Sequence, residues 1–148
     1  MAKEIELKLY IDKQYASRLS KHPVITHKLA SKPASHKLTS IYFDSPDLKL
    51  MDTGVTLRVS HISGGWIQTI QLSGSACIGL HQCLEWQSPI ASNHPDFTKI
   101  VEPILVRIFP NNKLRRSIIP IFRTEIHRTS WQLTFNNGDQ TEVVFVMV

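Results

Sequence analysis

Cysteine is scarce in this chain: Cys77 and Cys83 are the only two in 148 residues. Two cysteines so close together imply no disulfide framework, and both are expected as reduced thiols. No apolar run approaches the ~20 residues of a membrane span. The first strand-like segment starts within a few residues of Met1 and is charged, unlike a secretory leader, so a cytoplasmic location is expected. Internal repeats and low-complexity tracts are also lacking, which argues against solenoids and disordered arrays. What remains is ordinary for a globular chain: 42% apolar and 20% charged residues, enough for one domain, residues 1–148, with its own core. The net charge of +5 weakly favours an anionic partner, since nucleic-acid binders, phosphate binders and many other proteins share such a balance.

The most informative stretch is Glu4-Ile5-Glu6-Leu7-Lys8. Strand periodicity over Glu4–Leu9 puts Glu4, Glu6 and Lys8 on one face and Ile5, Leu7 and Leu9 on the other. Two carboxylates one pleat repeat apart, about 6–7 Å, can share a divalent cation, and the lysine beyond them can meet an anion that the cation also meets. The competing reading is a half-buried strand with a solvated charged face.

Further along, Asp12 is placed to cap a short helix through Leu19. Lys21–Lys37, with two prolines, four lysines and three histidines, reads as a loop. Leu38–Asp44 reads as a strand, followed by a short helix that Ser45 caps, with Pro46 first inside it and Gly54 ending it. Val55–Ser60 and Trp66–Leu72 form a hairpin across Ser63-Gly64-Gly65, and Gln82–Gln87 is a further strand. Phe97, Ile100, Ile104, Leu105 and Ile108 share a helical face that Pro103 should kink or break. Lys113, Arg115 and Arg116 form a basic loop. Ile118–Arg128, Trp131–Phe135 and Thr141–Val148 are the last strands, the final pair joined by the turn Asn136–Asp139. These elements predict a mainly β (α+β) fold: an antiparallel β-tunnel or incomplete barrel of about eight strands with a few helices outside. Periodicity alone does not separate a sandwich from a tunnel with a charged lumen.

Glu4-x-Glu6-x-Lys8, Tyr42-Phe43-Asp44, Leu57-Arg58 after Gly54, Trp66-Ile67-Gln68-Thr69, Gly79-Leu80-His81-Gln82-x-Leu84-Glu85-Trp86 and Phe122-x-Thr124-x-x-x-Arg128-x-x-Trp131 occur in that order. Together they resemble the CYTH domain of the triphosphate tunnel metalloenzymes, the middle segments most like the bacterial inorganic triphosphatases. The resemblance implies a tunnel that binds a triphosphate, with Mg2+ or Mn2+ as cofactor. It implies Glu4, Glu6 and Glu85 as metal ligands, Lys8, Arg58 and Arg128 as phosphate contacts, and Glu4, Glu6 and Lys8 as the catalytic set. The implied partner is inorganic triphosphate or another polyphosphate, with no membrane and no nucleic acid; thiamine triphosphate and ATP, the latter through adenylate cyclase chemistry, are related substrates.

The sequence departs from the family pattern where Ser60, Gln71 and Cys83 replace cations and where Gln87 and Val146 replace carboxylates. The family's last acidic strand has no counterpart before Val148. A weakened metal-dependent hydrolase of acid anhydrides is therefore expected. The alternatives are a degenerate tunnel that binds phosphates or polyanions without turnover, and an interaction module. Exposed strand edges would favour a homo-oligomer. Cys83 is expected as a small buried filler and His81 as packing or loop chemistry. Arg123 and Glu125 are expected to point away from the face that holds Arg128. Trp66, Trp86 and Trp131 are expected in the core or the wall.

Overall fold

The computed structural model describes residues 2–77 and 80–147; the side chains of residues 2–4, 74–77 and 80–82 lie outside the described residues. The strands are β1 (Ala2–Leu7), β2 (Ala34–Asp44), β3 (Val55–Ile62), β4 (Gly65–Cys77), β5 (Leu80–Ile90), β6 (Ile119–Thr134) and β7 (Gln140–Met147). The helices are α1 (Lys13–Leu19), α2 (Pro23–Lys28), α3 (Lys49–Asp52), α4 (Pro103–Ile108) and α5 (Asn112–Ser117), with a 3-10 turn at Phe97–Lys99. The chain divides into two compact units, one formed by Met1–Lys8 and Thr39–Thr124, the other by Leu9–Leu38 and Glu125–Val148. β2 and β6 run through both.

In the first unit the strand order is β1-β5-β4-β3-β2-β6, and the β1/β5, β5/β4, β4/β3 and β3/β2 pairs are all antiparallel. The β3–β4 turn is tight because Ser63 and Gly64 both take positive φ, 50° and 81°. That is the two-residue turn whose twist matches the flanking strands. Alternation then divides the sheet into two faces. Phe43, Val55, Leu57, Val59, Ile70 and Trp86 point to one side. There they join Leu50 of α3, Ile100, Leu105 of α4, and Phe109 in a single buried cluster. Leu57 is 1% and Val59 0% exposed, and each such side chain contributes about 1.5–3 kcal/mol by leaving water.

In the second unit, Ile25 of α2 packs with Trp131 and Leu133 of β6, flanked by Leu19, Phe135, Val143 and Phe145. β6 and β7 pair antiparallel from His127↔Met147 to Thr134↔Gln140. Their turn carries Gly138 at φ 87°, and the Phe135 N–H donates to the Asp139 carbonyl at 2.9 Å.

Several sequence expectations hold and others shift. Asp12 caps α1 by accepting from the Gln14 N–H at 3.1 Å. Pro103 breaks the expected long helix: a 3-10 turn capped by Asp96 precedes it, and α4 starts at the proline itself, where its missing N–H costs nothing. Lys21–Lys37 is not simply a loop, because Pro23 starts α2 and β2 already begins at Ala34. The two segments expected as Ile118–Arg128 and Trp131–Phe135 are one strand, β6. Thr129 and Ser130 continue the ladder opposite Phe145 and Val144, with no glycine or proline to interrupt it. β1 ends at Leu7, so Lys8 and Leu9 lie past it. The outer side of β1 is not covered: Ile5 and Leu7 are 62% and 57% exposed.

Candidate functional site

The face of the first unit opposite its core is polar, and strand register states which residues meet on it. Directly opposed residues in antiparallel strands project from the same side, with Cβ atoms about 4.5–5.5 Å apart. One rung reads Tyr42↔Arg58↔Thr69↔Gln87 across β2, β3, β4 and β5. The next reads Thr56↔Gln71↔Glu85↔Ala2, ending on β1. Beyond it come Ser73↔Cys83↔Glu4 and then His81↔Glu6. Glu4, Glu6, Arg58 and Glu85 therefore share one face, as do the substituted positions Ser60, Gln71, Cys83 and Gln87.

The chemistry of this face is more neutral than its carboxylates suggest. Glu85 is held by two carboxamides: Gln71 Nε2 donates to its Oε2 at 3.2 Å and Gln87 Nε2 donates to its Oε1. The two glutamines that replace a cation and an acid thus grip the one carboxylate between them. Ser60 is buried, and its hydroxyl bonds the equally buried Ser40 hydroxyl at 2.8 Å. Arg58 is half-buried opposite Tyr42, whose ring stacks on Phe122 with centroids 4.5 Å apart and planes 14° from parallel. Lys8 Nζ lies 3.7 Å from Glu6 Oε2, with both side chains well exposed. In water such a pair is worth about 0–1 kcal/mol, so Lys8 is readily available to an anion.

Glu4 takes its register place opposite Cys83, but its side chain lies outside the described residues, as does that of His81. Among the described residues no three His, Cys, Asp or Glu side chains gather as a metal cage. The donors still suit a cation that needs only one or two carboxylates and takes its other oxygens from water and phosphate. Arg128 belongs to the second unit, where its Nη2 donates to Glu142 Oε1 at 2.8 Å. Val146 is its register partner. Glu125 pairs with Lys37 at 3.2 Å.

Asp44, part of the Tyr42-Phe43-Asp44 motif, serves the backbone. Its Oδ1 accepts from the Ser45 and Leu50 N–H groups at 2.7 and 2.9 Å, and its Oδ2 from the Met51 N–H at 3.0 Å. It thereby ties the end of β2 to α3. Ser45 Oγ accepts from the Lys49 N–H, and α3 begins after Leu48 rather than at Pro46. Asp47 and Asp96 carboxyls are held below the usual aspartate range, chiefly by hydrogen bonds from the Ser45 and Thr98 hydroxyls respectively.

Sequence reasoning put Cys83 in the row of Glu85 and Gln87 but missed the register place of His81 opposite Glu6. Cys83 is partly exposed, not a buried filler, because it projects from the face opposite the core. The alternation of 83, 85 and 87, carried back to 81, is the signal for that place.

The sheet of the first unit thus has its core on one side and, by register, the positions of Glu4, Glu6, Glu85 and Arg58 on the other. The chain matches the CYTH domain over residues 2–145 and belongs to that family. It is 28% identical over 150 residues to the inorganic triphosphatase of Haemophilus influenzae, a match that covers 98% of this chain and 40% of that protein. The chain thus spans about two-fifths of that relative's length. Among solved structures, a protein from Hippeastrum proposed as an adenylyl cyclase, with a dominant triphosphatase activity, superposes with a TM-score of 0.63 at 11% identity. That match covers 98% of this chain and 71% of the other. A proposed adenylate cyclase from Bacillus halodurans gives a TM-score of 0.51 at 12% identity, covering 97% and 78%. At such identities these two speak for the mainly antiparallel β fold. Among the described residues no helix is long and apolar enough to cross a membrane.

Proposed function

We propose that this chain binds inorganic triphosphate on the polar face of its first unit and hydrolyses a phosphoanhydride bond weakly, with a divalent cation. The observation that carries the reading is the register: Glu4, Glu6, Arg58 and Glu85 share the face that turns away from the core. Membership of the CYTH family and the similarity to an inorganic triphosphatase support it. Arg58, fixed by its neighbours in β2 and β4, is the phosphate anchor, since a guanidinium matches phosphate oxygens bidentately. Lys8, well exposed just past the end of β1, supplies a second positive charge. Glu4, Glu6 and Glu85 are the residues that would hold Mg2+ or Mn2+; such an ion neutralises phosphate charge and orients the attacking water.

Weak turnover follows from what stands at the other positions. A charge-assisted contact is worth about 1.5–3 kcal/mol, so neutral Ser60, Gln71 and Cys83 forgo several orders of magnitude in affinity at ~1.4 kcal/mol per tenfold. The grip of Gln71 and Gln87 on Glu85 favours a second reading, binding without turnover, because two amides already occupy half of its acceptor sites and fix its orientation. Phosphate release from tripolyphosphate with Mg2+, Mn2+ or EDTA separates the two. Metal-dependent release lost in Glu4→Gln and Glu6→Gln supports hydrolysis. Calorimetric binding without release supports the second reading, and neither signal refutes both.

A further inference from the structure

On the core-bearing side of the first unit, away from the polar face, a cavity of about 470 Å3 is lined by Ile90 at the end of β5, by Ser92, His94, Asp96 and Phe97, and by Arg115 of α5, among others. Such a volume lies in the range of small-molecule sites, ~300–1,000 Å3. Its walls are held from within the core. Buried Gln68 accepts from the Asp96 N–H at 2.8 Å and donates to the Asp96 carbonyl at 3.2 Å, which pins the segment after β5 to β4. The Phe97 ring meets that of buried Phe109 with centroids 5.6 Å apart. Arg115 is fixed in turn. Asn111 caps α5 by accepting from the Leu114 N–H at 2.9 Å. Arg115 Nε donates to the Phe109 carbonyl at 3.3 Å, and the guanidinium carbon lies 5.7 Å from the Phe97 ring centroid.

This arrangement leaves a positioned positive charge unanswered. Arg115 is half-buried, and among the described residues it forms no ion pair and its Nη atoms make no hydrogen bond. Asp96 lines the same cavity but is engaged elsewhere: its Oδ1 accepts from the Thr98 N–H and hydroxyl at 3.0 and 2.5 Å. A guanidinium with its fork open matches a carboxylate bidentately. The rest of the lining narrows the ligand. Ile90, Pro95 and Phe97 offer apolar surface, which an apolar body would take out of water. The Asp96 carboxylate repels a second negative charge, which favours a monoanion over a phosphate dianion. We infer that this cavity binds an organic monoanion, a carboxylate carried on a small apolar body, with Arg115 holding the carboxylate and Ile90 and Phe97 packing the body. The site is separate from the polar face and does not rest on the triphosphate reading. Because Gln68, Phe109 and Asn111 already hold its walls, little ordering is left to oppose binding.

The test titrates benzoate into the full chain, labelled with nitrogen-15 and followed by NMR. The expected result is a saturable shift of the Arg115 Nε–H signal together with the Ser92, His94 and Thr98 amides. Acetate, which lacks the apolar body, should bind about tenfold more weakly or worse, and inorganic phosphate should also bind more weakly than benzoate. Arg115→Gln should weaken benzoate about 10–100-fold, the worth of one charge-assisted contact. Arg115→Lys keeps the charge but not the fork, so its affinity should fall between. Lys113→Gln with Arg116→Gln should leave binding unchanged, because neither residue lines the cavity. The amide spectrum of each variant confirms that the fold is kept. The unmodified protein alone suffices to refute the site. No saturable shift with benzoate, shifts confined to Lys113 and Arg116, or phosphate bound as tightly as benzoate overturns it.

Discussion

Replacing Asp44 by alanine should be among the most costly single changes in the first unit. The carboxylate is 7% exposed and accepts three backbone N–H groups, from Ser45, Leu50 and Met51, at 2.7, 2.9 and 3.0 Å. The donors differ in their access to water: Ser45 is 1% and Leu50 2% exposed, while Met51 is 69% exposed. In Asp44→Ala the Met51 N–H can rehydrate, but the other two are stranded. At about 1–3 kcal/mol for each buried donor left unpaired, the loss is about 2–6 kcal/mol, centred near 4. That is a large share of a typical ~5–15 kcal/mol domain stability. Asp44→Asn keeps one acceptor oxygen for Ser45 and Leu50 and turns an amide N–H2 toward Met51, so it should cost about 1–2 kcal/mol. Equilibrium urea unfolding, followed by tryptophan fluorescence with Trp66 and Trp86 as reporters in this unit, reads both, provided the slope with denaturant is unchanged. A loss below about 1 kcal/mol for alanine, or equal losses for the two variants, would refute the reasoning that stranded donors set the cost.

Restoring positive charge should succeed at one substituted position and fail at another. Gln71→Lys should strengthen tripolyphosphate binding about tenfold in calorimetry, since a lysine there adds a charge-assisted contact of ~1.5–3 kcal/mol partly offset by Glu85; unchanged affinity refutes the placement. Ser60→Arg breaks the buried Ser40–Ser60 hydroxyl pair and overfills its site, costing about 1–3 kcal/mol in urea unfolding. Trp86 Nε1 is buried with no hydrogen-bond partner among the described residues, so Trp86→Phe sacrifices volume but no bond and should cost about 1–2 kcal/mol; a loss above ~3 kcal/mol points to an acceptor for the indole. The Asp96 carboxyl, held below its ordinary range first by the Thr98 hydroxyl and then by the Thr98 N–H, stabilises the folded state above the unfolded aspartate pKa of ~3.9. That contribution fades as pH falls through the lower folded value. Thr98→Ala should raise the Asp96 pKa back toward ordinary in an NMR titration of the carboxyl carbon, and no movement refutes the assignment.

Much of this protein was written in its local chemistry. Alternation alone divides Val55, Leu57 and Val59 from Thr56, Arg58 and Ser60, because side chains on a strand alternate sides whatever the strand pairs with. Ser63-Gly64 and Asn136–Asp139 announce their turns through the residues that accept positive φ. Pro103 announces a break because it lacks an N–H wherever it sits. The ordered motifs from Glu4 to Trp131 carry the family. Tertiary structure decided what depends on a neighbouring strand or on burial. That Thr129 and Ser130 continue β6 depends on β7 being there to accept their hydrogen bonds. That Ile5 and Leu7 stay exposed depends on which strands the helices cover, which no alternation pattern encodes. The register places of Glu4 opposite Cys83, and of Glu6 opposite His81, depend on pairing residues some 75–80 positions apart, which only the register of β1 on β5 decides. The role of Gln71 and Gln87 was hidden for the same reason: each looks like a lost charge in the sequence, and only in the folded sheet do their amides close on Glu85.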